Sequence, residues 1–558
     1  MELWSAIGTL WDQAGDGDPG AAGIQASELA DRATDDSERA IALAARALCE
    51  LLQCRWVDST RTSLEAALVA ENATGPLGAD ARYYSAAVRL IASVMIEPEL
   101  SGVEATLPLP NLAEIQDYAR GIDLDRPERV LLSYPVIEAS MSSGQFDTTD
   151  ELITRLLPLT EQDSEFSVLV PLMLRTQLLR SLAFRGELGS LTRLALELVD
   201  DASAHPQVAM LAEALLCYAA GQRSDRKEVE LRSRSVLAEA RGHTNYVAVG
   251  SCLLVTWSFS AIGQVQRAAA LLFTASGGPE LPRIKTWDRA FGYELLVTAA
   301  LRRSDIAAAR RWAALAAPLA KWPVAAAAVE RALSRLAVAT GDHADAAERA
   351  YTSATLDALS GARLDGLRAG ILYAGALASQ GQRELAIQTL SEIASEADEL
   401  GATSVRKLAA KEWRALVKTE PTQDGGFASL SDREREIAIL VAEGHTNRSI
   451  GSTLFLSERT VQTHLSRILN VMGLPSRTAI PAALGVGANT AEAPELTERQ
   501  EQIAHLVSRG YSNARIAREL DISVKTVENH LAGIFTRWQV SSRTAVANVY
   551  VARNRKSA

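Results

Sequence analysis

Two segments near the end of the chain repeat one another without a gap. The first begins at Leu430 with LSDREREIAILVAEGHTN, and the second begins 66 positions later, at Leu496, with LTERQEQIAHLVSRGYSN. About 20 of roughly 50 aligned positions are identical, far more than shared composition would produce. The same small fold must therefore form twice, and the task of one copy should indicate the function of the chain.

The charge of the chain is unevenly distributed. The 558 residues carry a formal net charge of -11, but from Phe427 to the end there are 16 Lys and Arg against 12 Asp and Glu. The C-terminal part could therefore approach nucleic acid, whereas the acidic part before it is not expected to. No apolar run is long enough to cross a membrane, and the first residues are acidic rather than basic. These features predict a cytoplasmic protein without a membrane partner.

The first 420 residues have the pattern of helix throughout. Ala, Leu, Arg and Glu dominate them, apolar residues recur at helical spacing, and no alternating strand pattern occurs. Small turn residues recur at intervals of about 35 to 42 residues, which fits helical pairs that stack to bury their apolar faces. The predicted fold class is all-α, an α-solenoid of helical hairpin repeats. The predicted turns lie at Gly144, Gly186, Gly221, Gly263, Ser304, Gly341 and Gly381.

The units around Gly341 and Gly381 resemble tetratricopeptide-like repeats of the longer-period kind found in MalT-like bacterial regulators. The resemblance implies a tetratricopeptide-like solenoid over residues 123–420, with a surface that could bind a small molecule or a partner protein. Residues 1–122 are helical without a clear period, and form either an N-terminal cap or a separate small helical domain. The ATPase domain of the large regulators is not matched, because the chain has no GxxxxGK[ST] motif.

The sequence contains no constellation that would carry catalysis. Paired-carboxylate, HExxH and GxSxG patterns are absent, so we predict that the protein is not an enzyme and uses no cofactor or metal. The cysteines lack CxxC or metal-ligand spacing, which favours reduced, inert thiols. Four tryptophans close in sequence could line a groove of the solenoid, although packing between helices is the favoured interpretation. They are Trp257, Trp287, Trp312 and Trp322.

Each copy of the duplicated segment has the pattern of a helix-turn-helix. In the first copy, Ser431 and Glu434 can form a capping box before a helix that Gly444 ends. Asn447 is expected to cap a short second helix, and Ser457 a third helix with apolar residues on one side. In this arrangement the helix after the tight turn enters the major groove of DNA. Its exposed Gln, Thr, Ser and Arg side chains can pair with base edges or phosphates.

The motif series L[ST]xRExE, G-x-[ST]-N, S-x-x-TV-x-x-HL-x-x-I and G-[LV]-x-SR resembles the LuxR-type helix-turn-helix domain of bacterial transcription regulators. The first copy has all of it and the second most of it. The resemblance implies two small domains, at 427–485 and 496–553, whose fourth helices, at 476–484 and 542–550, can form a two-fold contact. The implied DNA-binding residues are Asn447, Arg459, Thr460, Gln462, Thr463, Ser466, Arg467, Asn513, Lys525, Thr526, Glu528, Asn529 and Arg537.

Both copies depart from the family pattern. In the first copy, Gly451 weakens the second helix, since Gly costs about 1 kcal/mol relative to Ala. The second copy has Gln500 at the capping-box position and Gln539 where a helix-ending Gly is expected. Its reading face carries Glu528, which repels phosphate but can accept a hydrogen bond from a cytosine amino group. Either copy could therefore be the weaker reader of DNA.

Residues 486–495, between the two copies, have the composition of a linker. Its mean span of roughly 17 Å and extended limit of about 35 Å compare with half-sites about 34 to 36 Å apart on DNA. We expect a sequence-specific transcription regulator whose solenoid senses a signal and whose tandem domains bind double-stranded DNA, with a homodimer formed through the fourth helices or the solenoid. The alternative is a helical-repeat scaffold whose small domains pair with each other or with another regulator.

Overall fold

The structure is a computed structural model, in which the all-α fold class is confirmed. It describes residues 2–95, 107–121, 127–162, 169–418, 427, 430–454, 456–474, 476–484, 494–509, 511–538, 540 and 543–555, and these residues contain helices, turns and loops but no strand. The chain divides into two compact units, Met1–Val417 and Lys418–Ala558. Within the described residues, no helix combines the length and the apolar character that crossing a bilayer requires.

Six helices precede the repeats and share a core with them. The core runs without interruption from Trp4 to Leu174, so it includes the first repeat helices. The predicted boundary between residues 122 and 123 lies outside the described residues and stays a prediction. The six helices are α1 (Glu2–Gly15), α2 (Pro19–Arg32), α3 (Asp36–Leu52), α4 (Trp56–Ala70), α5 (Gly78–Met95) and α6 (Leu112–Arg120), followed by a 3-10 helix at Pro127–Leu132.

Stacked helical pairs make up the rest of the first unit. The pairs are α7 (Ser133–Ser142) with α8 (Phe146–Gln162), α9 (Leu169–Arg185) with α10 (Leu188–Asp201), α11 (Pro206–Gln222) with α12 (Arg226–Glu239), α13 (Tyr246–Ala261) with α14 (Val265–Ser276), α15 (Thr286–Leu301) with α16 (Ile306–Ala316), α17 (Pro323–Thr340) with α18 (His343–Ser360), and α19 (Arg363–Ser379) with α20 (Arg383–Glu399). A 3-10 helix (Ala317–Lys321) joins α16 to α17, and α21 (Thr403–Lys418) closes the unit. The first helix of a pair is the more buried: 12 of the 17 residues of α11 are buried, against three of the 14 in α12.

The turns inside the pairs are built alike. Each has a residue in the left-handed region, followed by a residue whose N–H donates to the carbonyl five positions earlier, as Glu187 does to Leu182 at 2.9 Å. The predicted turn at Gly221 is wrong by three residues, since Gly221 lies inside α11. A Cβ there would stand 2.8 Å from Ser258 Cα, so this glycine permits close packing on α13. The left-handed residues are Gly144, Gly186, Ser224, Gly263, Ser304, Gly341 and Gly381.

The stack curves until helices about five pairs apart meet. Helix α19 packs on α9, where Leu364 fills the space in front of Gly186. The side-chain oxygen of buried Gln222 accepts hydrogen bonds from Arg368 at 2.6 Å and from Ser404 at 3.2 Å. Three of the four tryptophans named above are partly buried and Trp287 is buried, all in one apolar cluster, which agrees with packing between helices.

The charged groups enclosed by this curvature are paired. Glu138 is 2% exposed and accepts hydrogen bonds from Arg180 at 2.6 Å and Tyr246 at 2.8 Å, with Lys285 Nζ at 3.4 Å. Although burial acts to raise it, the Arg180 and Lys285 cations hold the pKa of Glu138 well below its usual range. Arg331, at 1% exposure, similarly donates to Glu294 and Asp357. The inner helices are therefore enclosed by protein on most sides.

The four cysteines are unbonded thiols, of which Cys49 and Cys217 are buried and Cys54 and Cys252 are partly buried. Burial raises the pKa of Cys49 and Cys54 to about 12, and that of Cys217 and Cys252 to about 11. The thiolate fraction at neutral pH is therefore small, so these thiols are poor nucleophiles.

The second unit contains both copies of the repeated segment, each with its own apolar core. The first copy has α22 (Asp432–Ala442), α23 (Asn447–Leu454), α24 (Glu458–Val471), a 3-10 helix (Arg477–Ala479) and α25 (Ile480–Leu484). The second has α26 (Glu498–Ser508), α27 (Asn513–Glu519), α28 (Val524–Trp538) and α29 (Arg543–Arg555). Helix α25 contacts α29, so the fourth helices of the two copies meet within the chain. Most of the predicted linker, up to residue 493, lies outside the described residues.

Candidate nucleic-acid interface

Local capping fixes where the helices of each copy begin. Ser431 and Glu434 form the predicted capping box, and Thr497 with Gln500 forms a second one, so glutamine preserves the motif. The predicted cap at Asn447 is wrong. The hydroxyl of Thr446 accepts from the Ser449 N–H at 3.2 Å, and the Asn447 side chain has other partners.

The same hydrogen bond closes the turn before the third helix of each copy, α24 or α28, which is called the reading helix from here on. The Leu456 N–H donates to the Gly451 carbonyl at 2.9 Å in the first copy, and the Ile522 N–H donates to the Ala517 carbonyl at 2.9 Å in the second. In the first copy the turn approaches so closely that a Cβ on Gly451 would lie 2.6 Å from the Leu456 carbonyl oxygen. Glycine is thus required at position 451, although the sequence alone indicates only its unfavourable helix propensity.

The first reading helix, α24, places its polar residues outward. Its apolar side, with Val461, Leu465 and Ile468, is buried in the core of the copy. The Gln462 side chain is exposed and its oxygen accepts from the Asn447 amide at 2.7 Å, which orients the glutamine before any DNA is present. The other predicted residues on this helix are exposed at Arg459, Thr463 and Ser466 and half-buried at Thr460.

Three of those residues also bond to their own helix. The Thr463 hydroxyl donates to the Arg459 carbonyl and the Ser466 hydroxyl to the Gln462 carbonyl, both at 3.0 Å. The Thr460 hydroxyl lies 2.7 Å from that of Ser457. Because the Thr463 and Ser466 hydroxyl hydrogens are used within the helix, these two side chains present mainly acceptors, and Thr463 adds a methyl group.

Arg467 lies against the scaffold of the first copy. Its Nε is 3.0 Å from an oxygen of Glu434, whose side chain is 2% exposed, while 55% of the arginine side chain is exposed. The second copy replaces this ion pair by Gln500 and Gly533 at the corresponding positions, and the Gln500 amide occupies the space in front of the glycine. The two substitutions compensate each other, since glutamine needs no counter-charge.

The second reading helix, α28, has the same orientation but a different face. Val527, Leu531 and Ile534 are buried. Among the predicted residues, Lys525, Glu528, Asn529 and Arg537 are exposed, and half-buried Thr526 bonds to the Ser523 hydroxyl at 2.7 Å. Lys525 Nζ lies 3.4 Å from a Glu528 oxygen, so the carboxylate has a cation beside it.

An arginine in each copy ties the fourth helix to the second, which sequence reasoning missed. Arg477 donates to the Asn447 side chain and to the His445 carbonyl, and Arg543 donates to Asn513 at 2.5 Å and to the Tyr511 carbonyl. Burial lowers the pKa of both guanidinium groups. The pattern predicts helix caps or DNA-backbone contacts at these positions. The two arginines are half-buried and orient the asparagines that were predicted to meet DNA. Their contact with the DNA backbone stays a prediction.

Comparison with known proteins matches both copies to one family. The family described as bacterial regulatory proteins, luxR family, matches residues 428–482 and 494–550. The putative HTH-type transcriptional regulator Rv0890c of Mycobacterium tuberculosis is 47% identical over 55 residues, which cover 10% of this chain and 6% of the relative. The transcriptional regulatory protein LiaR of Bacillus subtilis is 48% identical over 50 residues, covering 9% and 24%. The chain thus spans only 6 to 24% of the length of these relatives.

One solved structure, the crystal structure of APC/C hetero-tetramer Cut9-Hcn1, aligns over 83% of this chain and 80% of its own, at 14% identity and a TM-score of 0.39. A similarity this loose carries no argument about the first unit, whose architecture is given by its own helices. The matched segments coincide with the two copies that have complete helix-turn-helix geometry. The second unit of this chain therefore consists of two LuxR-type helix-turn-helix domains, joined to a helical-repeat solenoid.

Proposed function

We propose that this chain is a sequence-specific DNA-binding transcription regulator. The observation that carries the proposal is the pair of reading helices, each seated on a complete core with its polar face exposed. The positive charge of the residues from Phe427 onward and the regulators that match these domains support it. In this role Gln462 pairs with adenine and Asn529 does the same from the second domain, while Glu528 accepts from a cytosine amino group.

We further propose that the two domains act as one covalent pseudo-dimer. The contact between α25 and α29 supports this, because the surfaces that would pair two separate chains already meet within one. Two half-sites would then be read by a single chain. Since the reading faces differ, with Gln462 and Thr463 in one domain and Glu528 and Asn529 in the other, the operator should be asymmetric.

The first unit is proposed to receive the regulatory signal. Its buried charged groups Glu138 and Arg331 are paired with side chains of the same unit, which favours an effector that contacts the outer surface. A cavity beside Trp11 and Tyr134 has a volume of about 10 Å³, close to the space for one water and too small for an organic effector. This cavity offers no room for a small-molecule effector, and we propose a protein partner for this unit.

The alternative function is a scaffold whose small domains pair only with each other, and the α25 contact with α29 is the observation that favours it. Selection of bound sites from a random duplex library by the full chain separates the two functions. The regulator should enrich an asymmetric motif at low salt. Gln462→Ala should weaken the preference at one base pair in one half of the motif, and Asn470→Ala, which removes an exposed amide near the end of the same helix, should leave the motif intact. Failure to enrich any motif at low salt would reject the proposal and favour the scaffold.

A further inference from the structure

Two arginines stack on one tyrosine in the second helix-turn-helix domain. The guanidinium carbon of Arg515 lies 3.9 Å from the centroid of the Tyr511 ring, and that of Arg509 lies 5.7 Å from it. Both arginines are exposed and the tyrosine is half-buried. Within the described part of the chain, neither guanidinium is paired with a carboxylate. The ring thus holds two cations close together in solvent, although their charges repel each other.

The first domain has the opposite character at the same three positions. Glu443, His445 and Ser449 stand there, with His445 Nδ1 2.9 Å from the Ser449 hydroxyl and Nε2 3.7 Å from Glu443. The difference extends to the whole domains. Residues 427–485 have six Lys and Arg against five Asp and Glu, whereas residues 494–558 have ten against six. Net charges of +1 and +4 follow, so the second domain supplies most of the positive charge.

The position of the cluster indicates what these cations meet. Tyr511 precedes α27 and Arg515 lies in its first turn, and α27 is the helix before the reading helix α28. In a helix-turn-helix, the helix before the reading helix crosses the sugar-phosphate backbone. Arginine binds phosphate oxygens through two parallel N–H groups, and one backbone phosphate beside each guanidinium group would also relieve the repulsion between the two cations.

We propose that Arg509, Tyr511 and Arg515 form a phosphate clamp that anchors the second domain on the DNA backbone, an inference that rests on the proposed function. The tyrosine orients both guanidinium groups in advance, so less side-chain entropy is lost on binding. The first domain lacks the clamp and contributes mainly sequence reading. The two copies thus divide affinity and specificity between them.

The test is a salt titration of the full chain on mixed-sequence duplexes of about 30 base pairs. Each phosphate contact contributes about 0.9 to the slope of log K against log salt, so the Arg509→Gln and Arg515→Gln double variant should lose nearly 2 units of slope. At 0.1 M salt this corresponds to roughly a 10- to 100-fold loss of affinity, equal on unrelated sequences. The Arg310→Gln and Arg311→Gln double variant removes the same charge from exposed positions of α16 and should bind like the original protein.

A reciprocal variant keeps the test independent of any damage to the second domain. Installing the clamp in the first domain by Glu443→Arg, His445→Tyr and Ser449→Arg should steepen the slope by about 2 units. An unchanged slope in the glutamine variant, or a loss confined to one sequence, would overturn the clamp while leaving the proposed function standing. Absence of duplex binding by the original protein at low salt would instead overturn the proposed function, and the clamp with it.

Discussion

Replacing Gly451 by Ala sets two physical effects against each other. Helix propensity favours the change, since Ala is better than Gly in a helix interior by about 1 kcal/mol. Steric contact opposes it, because the new Cβ would lie 2.6 Å from the Leu456 carbonyl oxygen. That oxygen belongs to the backbone of the turn between α23 and α24, and the same turn is closed by the Leu456 N–H bond to the Gly451 carbonyl at 2.9 Å. The backbone cannot yield as the tip of a side chain could.

The magnitudes favour the steric effect. Ordinary contact for a Cβ begins at 3.4 Å, so the turn must move by 0.8 Å. Overpacking of this kind costs about 1 to 3 kcal/mol, and loss of the turn hydrogen bond costs about 1 kcal/mol more. After subtraction of the propensity gain, the first helix-turn-helix domain should be destabilised by about 1 to 3 kcal/mol.

Hydrogen exchange of the full chain, followed by mass spectrometry of its peptides, measures the stability of the first helix-turn-helix domain separately from the rest of the chain. Peptides from α22 to α24 should exchange roughly 5 to 150 times faster in Gly451→Ala, because about 1.4 kcal/mol corresponds to a factor of ten. In the second domain, Gly533→Ala meets only the flexible Gln500 amide at 2.9 Å and should slow exchange. Ala517→Gly, at the position matching Gly451, should cost about 1 kcal/mol. Slower exchange in Gly451→Ala would refute the steric reasoning.

Three further changes test other parts of the structure. Gln462→Ala and Asn529→Ala should each lower discrimination at one base pair by about 1 to 3 kcal/mol in site selection, and an unchanged motif would mark that domain as a non-reader. Arg467→Ala removes the cation beside buried Glu434 and should destabilise the first domain by about 1 to 3 kcal/mol, visible as faster exchange. Unchanged exchange with weaker DNA binding would instead assign Arg467 to DNA. Folding lowers the pKa of Glu138, so the contribution of its carboxylate to folding stability is complete above the pKa of about 4.3 in the unfolded chain. That contribution is lost as the pH falls through the pKa of the folded protein. Glu138→Gln should therefore lower Tm at pH 7 and make Tm fall less steeply below a pH of about 4. Thermal melts in which Tm of the variant and of the original protein depend on pH in the same way would contradict this.

Local rules predicted the helices and most of the turns. Six of the seven predicted turn positions are confirmed. Five of them are Gly, which adopts the left-handed region most easily, and the sixth is Ser304 at φ +58°. The seventh turn uses Ser224 at φ +58°, which is uncommon for serine, while nearby Gly221 serves helix packing. A glycine in the sequence does not reveal which of these two needs it meets. The capping box of the first copy was predicted because its partners lie three residues apart, whereas Gln500, which completes the box of the second copy, was taken as a departure.

Contacts between distant residues could not be predicted from one sequence. Nothing in the spacing connects Gln222 with Arg368, which are 146 positions apart, or Glu434 with Arg467 across two helices. For the same reason, the exposed reading face was predictable from helical periodicity, but the arginines that orient Asn447 and Asn513 were not. The predicted DNA contacts themselves stay predictions.

The meeting of α9 with α19 constrains how this chain can vary in length. An open array gains or loses units readily, because each unit touches only its neighbours. Here, deletion of one helical pair between α11 and α19 would carry both Arg368 and Ser404 away from Gln222 and leave a buried amide oxygen without its two donors. The number of pairs is therefore fixed by closure, much as strand number is fixed in a barrel. A domain with its own core can be duplicated at the end of the chain, whereas a helical pair cannot be added or dropped without breaking the closure.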